Sequence, residues 1–209
     1  MNNINVYDQH SAKARAESPL FHAELNKLVG RGPATAGVTL RERALLGHLV
    51  LRGDAHDEGF TGAVQSVVGL EVPGPLAITQ KGESSLQWLG PDEWLLVVPG
   101  GSEFATEQAL RQALGERHVA IINVGGGQTL VELKGPKVRE VLMKSTSYDV
   151  HPDNFPVGKA VGTVFAKSQL VIRHTAPDTW ELVVRRSFAD YVWLWLQDAS
   201  AEYGLRIEA

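Results

Sequence analysis

The chain has 209 residues, 44% of them hydrophobic and 21% charged, with a formal net charge of -4. A single compact body of this size would bury about 70% of its unfolded surface, so a substantial core is available and wholesale disorder is excluded. The mild negative charge leaves no basic footprint for nucleic acid, and the absence of cysteine excludes disulfides, thiolate catalysis and the usual structural zinc sites.

Residues 1–44 are polar, with two weak helical fragments and the breaker Gly30-Arg31-Gly32-Pro33. This stretch reads as an extended N-terminal arm, punctuated at Ser18-Pro19-Leu20, and its lack of an apolar face fits either disorder or ordering against a partner subunit. The polar start MNNINVYDQH lacks the basic and apolar regions of a signal peptide. No apolar run reaches the eighteen or so residues of a membrane span, so the expected location is the cytoplasm, with no membrane partner. A second region, 45–209, reads as continuous structure. It opens on a strand in LLGHLVLRGD and a helix carrying Phe60, Val64, Val67 and Val68, capped by Gly69.

From Leu86 onward a repeat sets the order. Pro91-Asp92-Glu93-Trp94-Leu95-Leu96-Val97-Val98 recurs 86 positions later as Pro177-Asp178-Thr179-Trp180-Glu181-Leu182-Val183-Val184. Each copy predicts a strand, a Pro-Asp turn, a second strand and a helix. A third unit between them predicts a hairpin with Gly125-Gly126-Gly127 as its turn and a helix after Pro136. Consecutive hairpins that each throw a helix onto the sheet predict an α+β fold of antiparallel sheets with repeated strand-strand-helix units. The last helix is expected to start at a capping box, Ser187-Phe188-Ala189-Asp190. Its aromatic surplus is more than one core stripe needs, with Tyr191, Leu194, Trp195 and Asp198 on one side and Val192 and Trp193 turned away, so either part of it meets another element or chain or the helix is sandwiched inside its own fold.

The residues that carry chemistry do not converge on a catalytic site. The seven histidines form no His-x-x-x-His or His-x-His pair. His56 beside Asp54, Asp57 and Glu58 reads as a solvated acidic turn, and Asp149-Val150-His151-Pro152-Asp153 as a polar turn. Asp92 and Asp178 occupy turn positions that favour Asp for its local backbone bonds. The triple glycine leads into a strand and not a helix, which removes it as a phosphate loop. Arg185-Arg186 is the better anion candidate, although two exposed arginines in a strand-helix turn are more commonly solvated or paired with carboxylates. No catalytic, cofactor-binding or metal-binding residue is therefore assigned.

ESPLFH (Glu17 to His22), WLGPDEWLLVVP (Trp88 to Pro99), DVHPDNFPV (Asp149 to Val157) and DTWELVVRRSFADYVWLWLQDASAEYG (Asp178 to Gly204) closely resemble the gamma subunits of heterotetrameric sarcosine oxidases. Ser145-Thr146 depart from the Gly-Cys of related sequences, which removes any thiol role there. The resemblance implies a fold like the folate-binding domain of aminomethyltransferases. It also implies a non-catalytic subunit that assembles with alpha, beta and delta subunits, mainly alpha. The implied complex is a flavoprotein of one-carbon metabolism that oxidatively demethylates sarcosine to glycine with O2. It yields H2O2 and methylenetetrahydrofolate, or formaldehyde without folate. FAD, FMN, NAD and zinc would lie on the other subunits, and tetrahydrofolate would be used by the complex, with none of these in this chain. Ser18, Pro19, Leu20 and Trp193 are the expected subunit interface. The alternative is an autonomous folate-binding one-carbon transferase or a regulatory module.

Overall fold

The computed structural model describes residues 16–208. The elements follow in the order α1 (Leu25–Leu28), β1 (Val38–Arg43), β2 (Gly47–Arg52), α2 (Glu58–Val68), β3 (Ile78–Lys81), β4 (Ser84–Gly90), β5 (Glu93–Val98) and α3 (Glu103–Leu114). The chain continues through β6 (Ala120–Asn123), β7 (Gln128–Lys134), α4 (Val138–Ser145), β8 (Ala160–Phe165), β9 (Ser168–Ala176), β10 (Thr179–Arg185), α5 (Ala189–Ser200) and β11 (Leu205–Ile207). Two sheets form, ordered β11-β1-β7-β10-β9-β8 and β3-β4-β5-β2-β6. Every neighbouring pair is antiparallel except β1 and β11.

Strand alternation builds four layers. In β10, Trp180, Leu182 and Val184 join the core under α4 and α5 with Val141, Leu142, Val192, Trp193 and Leu196. Val183 points the other way, into a small cluster with Leu95, Val97 and Leu130 between the sheets. In β5, Trp94, Leu96 and Val98 face α2 and α3, where Phe60, Val64, Leu110 and Leu114 are buried. Residues one apart on a strand face opposite sides of it, so each sheet carries helices on one face and meets the other sheet with its second face. Each fully buried large apolar side chain contributes about 1.5–3 kcal/mol.

The repeat is structural. Shifted by 86 positions, α3 falls on α5, β5 on β10 and β4 within β9. Both predicted Pro-Asp hairpins are present, β4–β5 and β9–β10. The third predicted hairpin is not: Gly125–Gly127 is a 3-10 turn that carries the chain from β6 in one sheet to β7 in the other. β1 and β2 separate the same way across residues 44–46. β1 pairs with β7 and β6 pairs with β2, so each half lends its leading strand to the other half's sheet. Stacked sheets lie about 10 Å apart, a gap that three extended residues span. Leu46 and Val124 pack between the sheets at these crossings.

Three further expectations need correction. The arm does not run to residue 44, because Val38–Arg43 is an interior strand of the six-stranded sheet. The expected capping box is absent: Ser187 lies in a 3-10 turn (Arg186–Phe188), α5 has no side-chain cap bond, and the Asp190 carboxylate instead accepts from His22 Nε2 at 2.8 Å. On α5, Val192 and Trp193 face inward and are buried, while Leu194 is 56% exposed. The aromatic surplus reflects a core that also takes in the N-terminal segment through Leu20. By contrast α2 matches its expectation, with Gly69 at φ 74 accepting the left-handed cap.

Candidate functional site

The polar chemistry of the described residues concentrates between the sheets, where the alternation of β9, β10 and β4 places charged and amide side chains. Arg173 on β9 is 1% exposed and Glu181 on β10 is 2% exposed. Arg173 Nη2 donates to Glu181 Oε2 at 2.5 Å and to Ser85 Oγ at 3.0 Å, and Nη1 donates to Gln87 Oε1 at 3.1 Å. The second Glu181 oxygen accepts from Arg43 Nη1 at 2.9 Å. Burial pulls the Arg173 pKa down, against the opposing pull of Glu181. Beside this network, Glu132 accepts from Arg41 at 3.2 Å and pairs with Lys134 at 2.7 Å. Burial pushes its carboxyl up, but those two cations outweigh it and hold it below the usual value.

His48 on β2 is fully buried, with Nδ1 3.1 Å from Gln128 Oε1 on β7. Burial lowers its pKa, so it is held neutral. Gln128 in turn lines a cavity of about 570 Å³ between the ends of the sheets. Leu89, Leu95, Val171 and Val183 form apolar walls, and Arg185 stands among the lining residues. Such a volume lies within the range of about 300–1,000 Å³ typical of small-molecule sites.

None of this forms a nucleophile with a base and an orienting group. Arg173 and Glu181 are paired with one another, and His48 is hydrogen-bonded to the Gln128 amide and not to a hydroxyl. Among the described residues, no three His, Asp or Glu converge as a metal-ligand set. His56 and Asp149 lie in turns held by local bonds, His56 N to Asp54 Oδ1 and His151 N to Asp149 Oδ1. Asp57 caps α2 through Gly59 N. Asp92 pairs with Arg52 at 2.5 Å at its hairpin, and Asp178 takes φ 52 at the equivalent turn.

The residues expected to meet a partner are placed differently from one another. Leu20 and Trp193 lie in this chain's own core. Ser18 Oγ and Leu20 N donate to the two oxygens of Glu42, which also accepts from Thr129 Oγ1. Pro19 is half-buried between them. The segment from Ser18 to Leu20 is thus docked on its own sheet. Of the two arginines weighed as an anion candidate, Arg186 is engaged by the carbonyls of Gly126 and Glu17 at 2.9 Å each, whereas Arg185 is exposed at the cavity. Sequence reading missed Arg173 and Glu181, although a charged residue inside each of two apolar strands was the visible signal. It had no signal for His48 and Gln128, whose pairing spans 80 positions.

No helix among the described residues is long and apolar enough to cross a membrane. Residues 52–202 match the model of the sarcosine oxidase, gamma subunit family. A sarcosine oxidase subunit gamma from Corynebacterium sp. (strain P-1) is 33% identical over 189 residues, covering 89% of this chain and 90% of that protein. A solved chain of the heterotetrameric sarcosine oxidase from Corynebacterium sp. U-96, in complex with pyrrole 2-carboxylate, superposes with a TM-score of 0.79 at 29% identity, covering 90% of this chain and 96% of that one. The glycine cleavage system aminomethyltransferase T from Bartonella henselae shares the fold, with a TM-score of 0.65 at 14% identity over 91% of this chain and 58% of that one. With the family model spanning most of the sequence and close relatives aligned nearly end to end, the chain belongs to the sarcosine oxidase gamma subunit family.

Proposed function

We propose that this chain is the non-catalytic gamma subunit of a heterotetrameric sarcosine oxidase and works by assembly. The observation that carries the reading is its near end-to-end correspondence with a chain of the Corynebacterium complex. The complex would convert sarcosine and O2 to glycine and H2O2, passing the methyl carbon to tetrahydrofolate as methylenetetrahydrofolate, or releasing formaldehyde after hydrolysis when folate is absent. FAD, FMN, NAD and zinc would reside on the beta, alpha and delta partners, in the cytoplasm. Supporting the division of labour, the gap between the sheets at Arg173 is filled by this chain's own paired side chains.

The part of the chain offered to alpha is the outer side of α5 at Leu194 together with Phe188 of the preceding turn, both of them exposed. Ser18, Pro19, Leu20 and Trp193 contribute to assembly through their packing beneath this side. Co-expression with alpha, beta and delta subunits tests the reading. Leu194→Asp should reduce recovery of the assembled complex without changing sarcosine-dependent peroxide formation per assembled complex. Normal assembly with lost turnover would overturn the scaffolding role. The second reading, a freestanding folate-binding module, draws on the aminomethyltransferase fold; tight tetrahydrofolate binding by a chain that never joins the partners would favour it.

A further inference from the structure

We infer that the cavity between the sheet ends is a binding site for a small amphipathic carboxylate, with Arg185 receiving the anionic group. The inference does not depend on the assembly role. The walls are apolar at Leu89, Leu95, Val171 and Val183, and no acidic residue lines the cavity. Its polar lining is Arg185, which only donates, with Gln128, Thr163 and Gln169, which can donate or accept. Among the described residues Arg185 makes no ion pair or side-chain hydrogen bond, so its guanidinium is uncommitted, unlike the neighbouring Arg186. Gln128, cross-strand from Arg185, has its carbonyl oxygen within bonding distance of Nδ1 of a buried, neutral His48. With Nδ1–H donating to that oxygen, the amide NH2 is the end left for a ligand. A guanidinium and an amide donor beside aliphatic walls suit a carboxylate with an apolar body; a cation would meet no counter-charge, and a wholly apolar ligand would leave the donors unmatched.

Gly162 supplies a second handle. It lies on the outermost strand β8, lines the cavity, and a Cβ built there meets no atom within 4 Å. Gly162 is cross-strand from the lining residue Val171 and shares its face, so a large side chain there is directed toward the cavity and meets no neighbour at its point of attachment.

Equilibrium dialysis of the full chain, alone and in its assembled complex, with 2-naphthylacetate and the uncharged 2-naphthylacetamide tests the site. The acid should bind saturably with one site per chain and about tenfold or more tighter than the amide. Arg185→Gln should abolish that preference while leaving amide binding unchanged, and Gly162→Phe should remove both. Circular dichroism and thermal melts confirm folding of both variants. Absence of saturable binding, or a preference for the acid that survives Arg185→Gln, would overturn the inference. So would binding by the free chain that disappears on assembly, since the cavity would then be a seat for a partner segment.

Discussion

The two halves of the molecule share a backbone plan but fill the space between the sheets differently. Facing the helices, equivalent positions match: Trp94 and Trp180 are each 1% exposed under their helices, and Leu96 and Leu182 are fully buried. Facing the opposite sheet they diverge, with Gln87 and Leu95 in the first half where Arg173 and Glu181 stand in the second. The divergent pair meets across the pseudo-symmetry, because Arg173 reaches Gln87, its own counterpart 86 residues earlier. The helix-facing side thus preserves the architecture, while the sheet-facing side makes the two halves fit each other in one way. A further difference is the ring beside each core tryptophan. Trp88 pairs with Trp94 on neighbouring strands, and in the second half His174 takes that place, stacked on Trp180 at 3.9 Å and 4°.

The sharpest way to break the comparison is to copy the first half into the second. Glu181→Leu leaves Arg173 buried without its carboxylate, an uncompensated charge expected to cost about 3–5 kcal/mol in urea unfolding. Adding Arg173→Gln should recover most of that loss, since replacing both partners of a buried pair is often near neutral. Failure of the double variant to recover would show that Arg43, the remaining cation beside position 181, dominates the network.

On the preserved side the halves should respond alike. Trp94→Ala and Trp180→Ala each empty a fully buried site, at about 3–5 kcal/mol apiece. Trp94 also gives up its Nε1 bond to Pro73 O at 2.9 Å, so the first variant should be the costlier by roughly 1 kcal/mol in the same unfolding measurement.

A pH titration of stability sharpens the contrast between the stacked rings. Burial lowers the pKa values of both His174 and His48 from 6.5 in the folded chain. Below pH 6.5 the unfolded chain binds protons that the folded chain resists. Stability is therefore full above pH 6.5 and declines as pH falls from there, by up to about 1.4 kcal/mol per pH unit for each histidine. His174→Phe, which keeps a ring on Trp180, should remove one histidine's share of the slope between pH 6.5 and 5; an unchanged slope would exclude His174 as a contributor. Glu132, whose folded pKa lies below 4.5, contributes stability above that value that is lost at lower pH, in a separate window.

The smallest contrast is at the helix starts. Asp57 accepts from Gly59 N at 2.7 Å, so Asp57→Ala should cost about 1 kcal/mol. Ser187 bonds no free amide of α5, so Ser187→Ala should stay within about 0.5 kcal/mol in thermal or urea melts.

Much of this molecule is written locally. The Pro-Asp hairpins, the helix closing at Gly69 and the 86-residue repeat all follow from short-range preferences of turn residues and from alternation along strands, which depend on neighbours within a few positions. That His56 and Asp149 belong to turns was legible for the same reason, since the bonds holding those turns join residues two positions apart. The sequence alone thus determined the Pro-Asp hairpins with their following helices, the duplication and, through its long matching blocks, the family, but not β1, which lies inside the stretch read as an arm. Tertiary structure decided which sheet each strand joins, because a triple glycine serves equally as a hairpin turn or as a crossing between stacked sheets. It decided which side of α5 is buried, because an apolar set that wraps the helix has no periodic signal to choose a face. It also decided that Ser18 and Leu20 dock on Glu42, and that Arg173 finds Glu181 and Gln87. Those partners are distant in sequence, and only the packing of two sheets into one interior brings their charges out of water together.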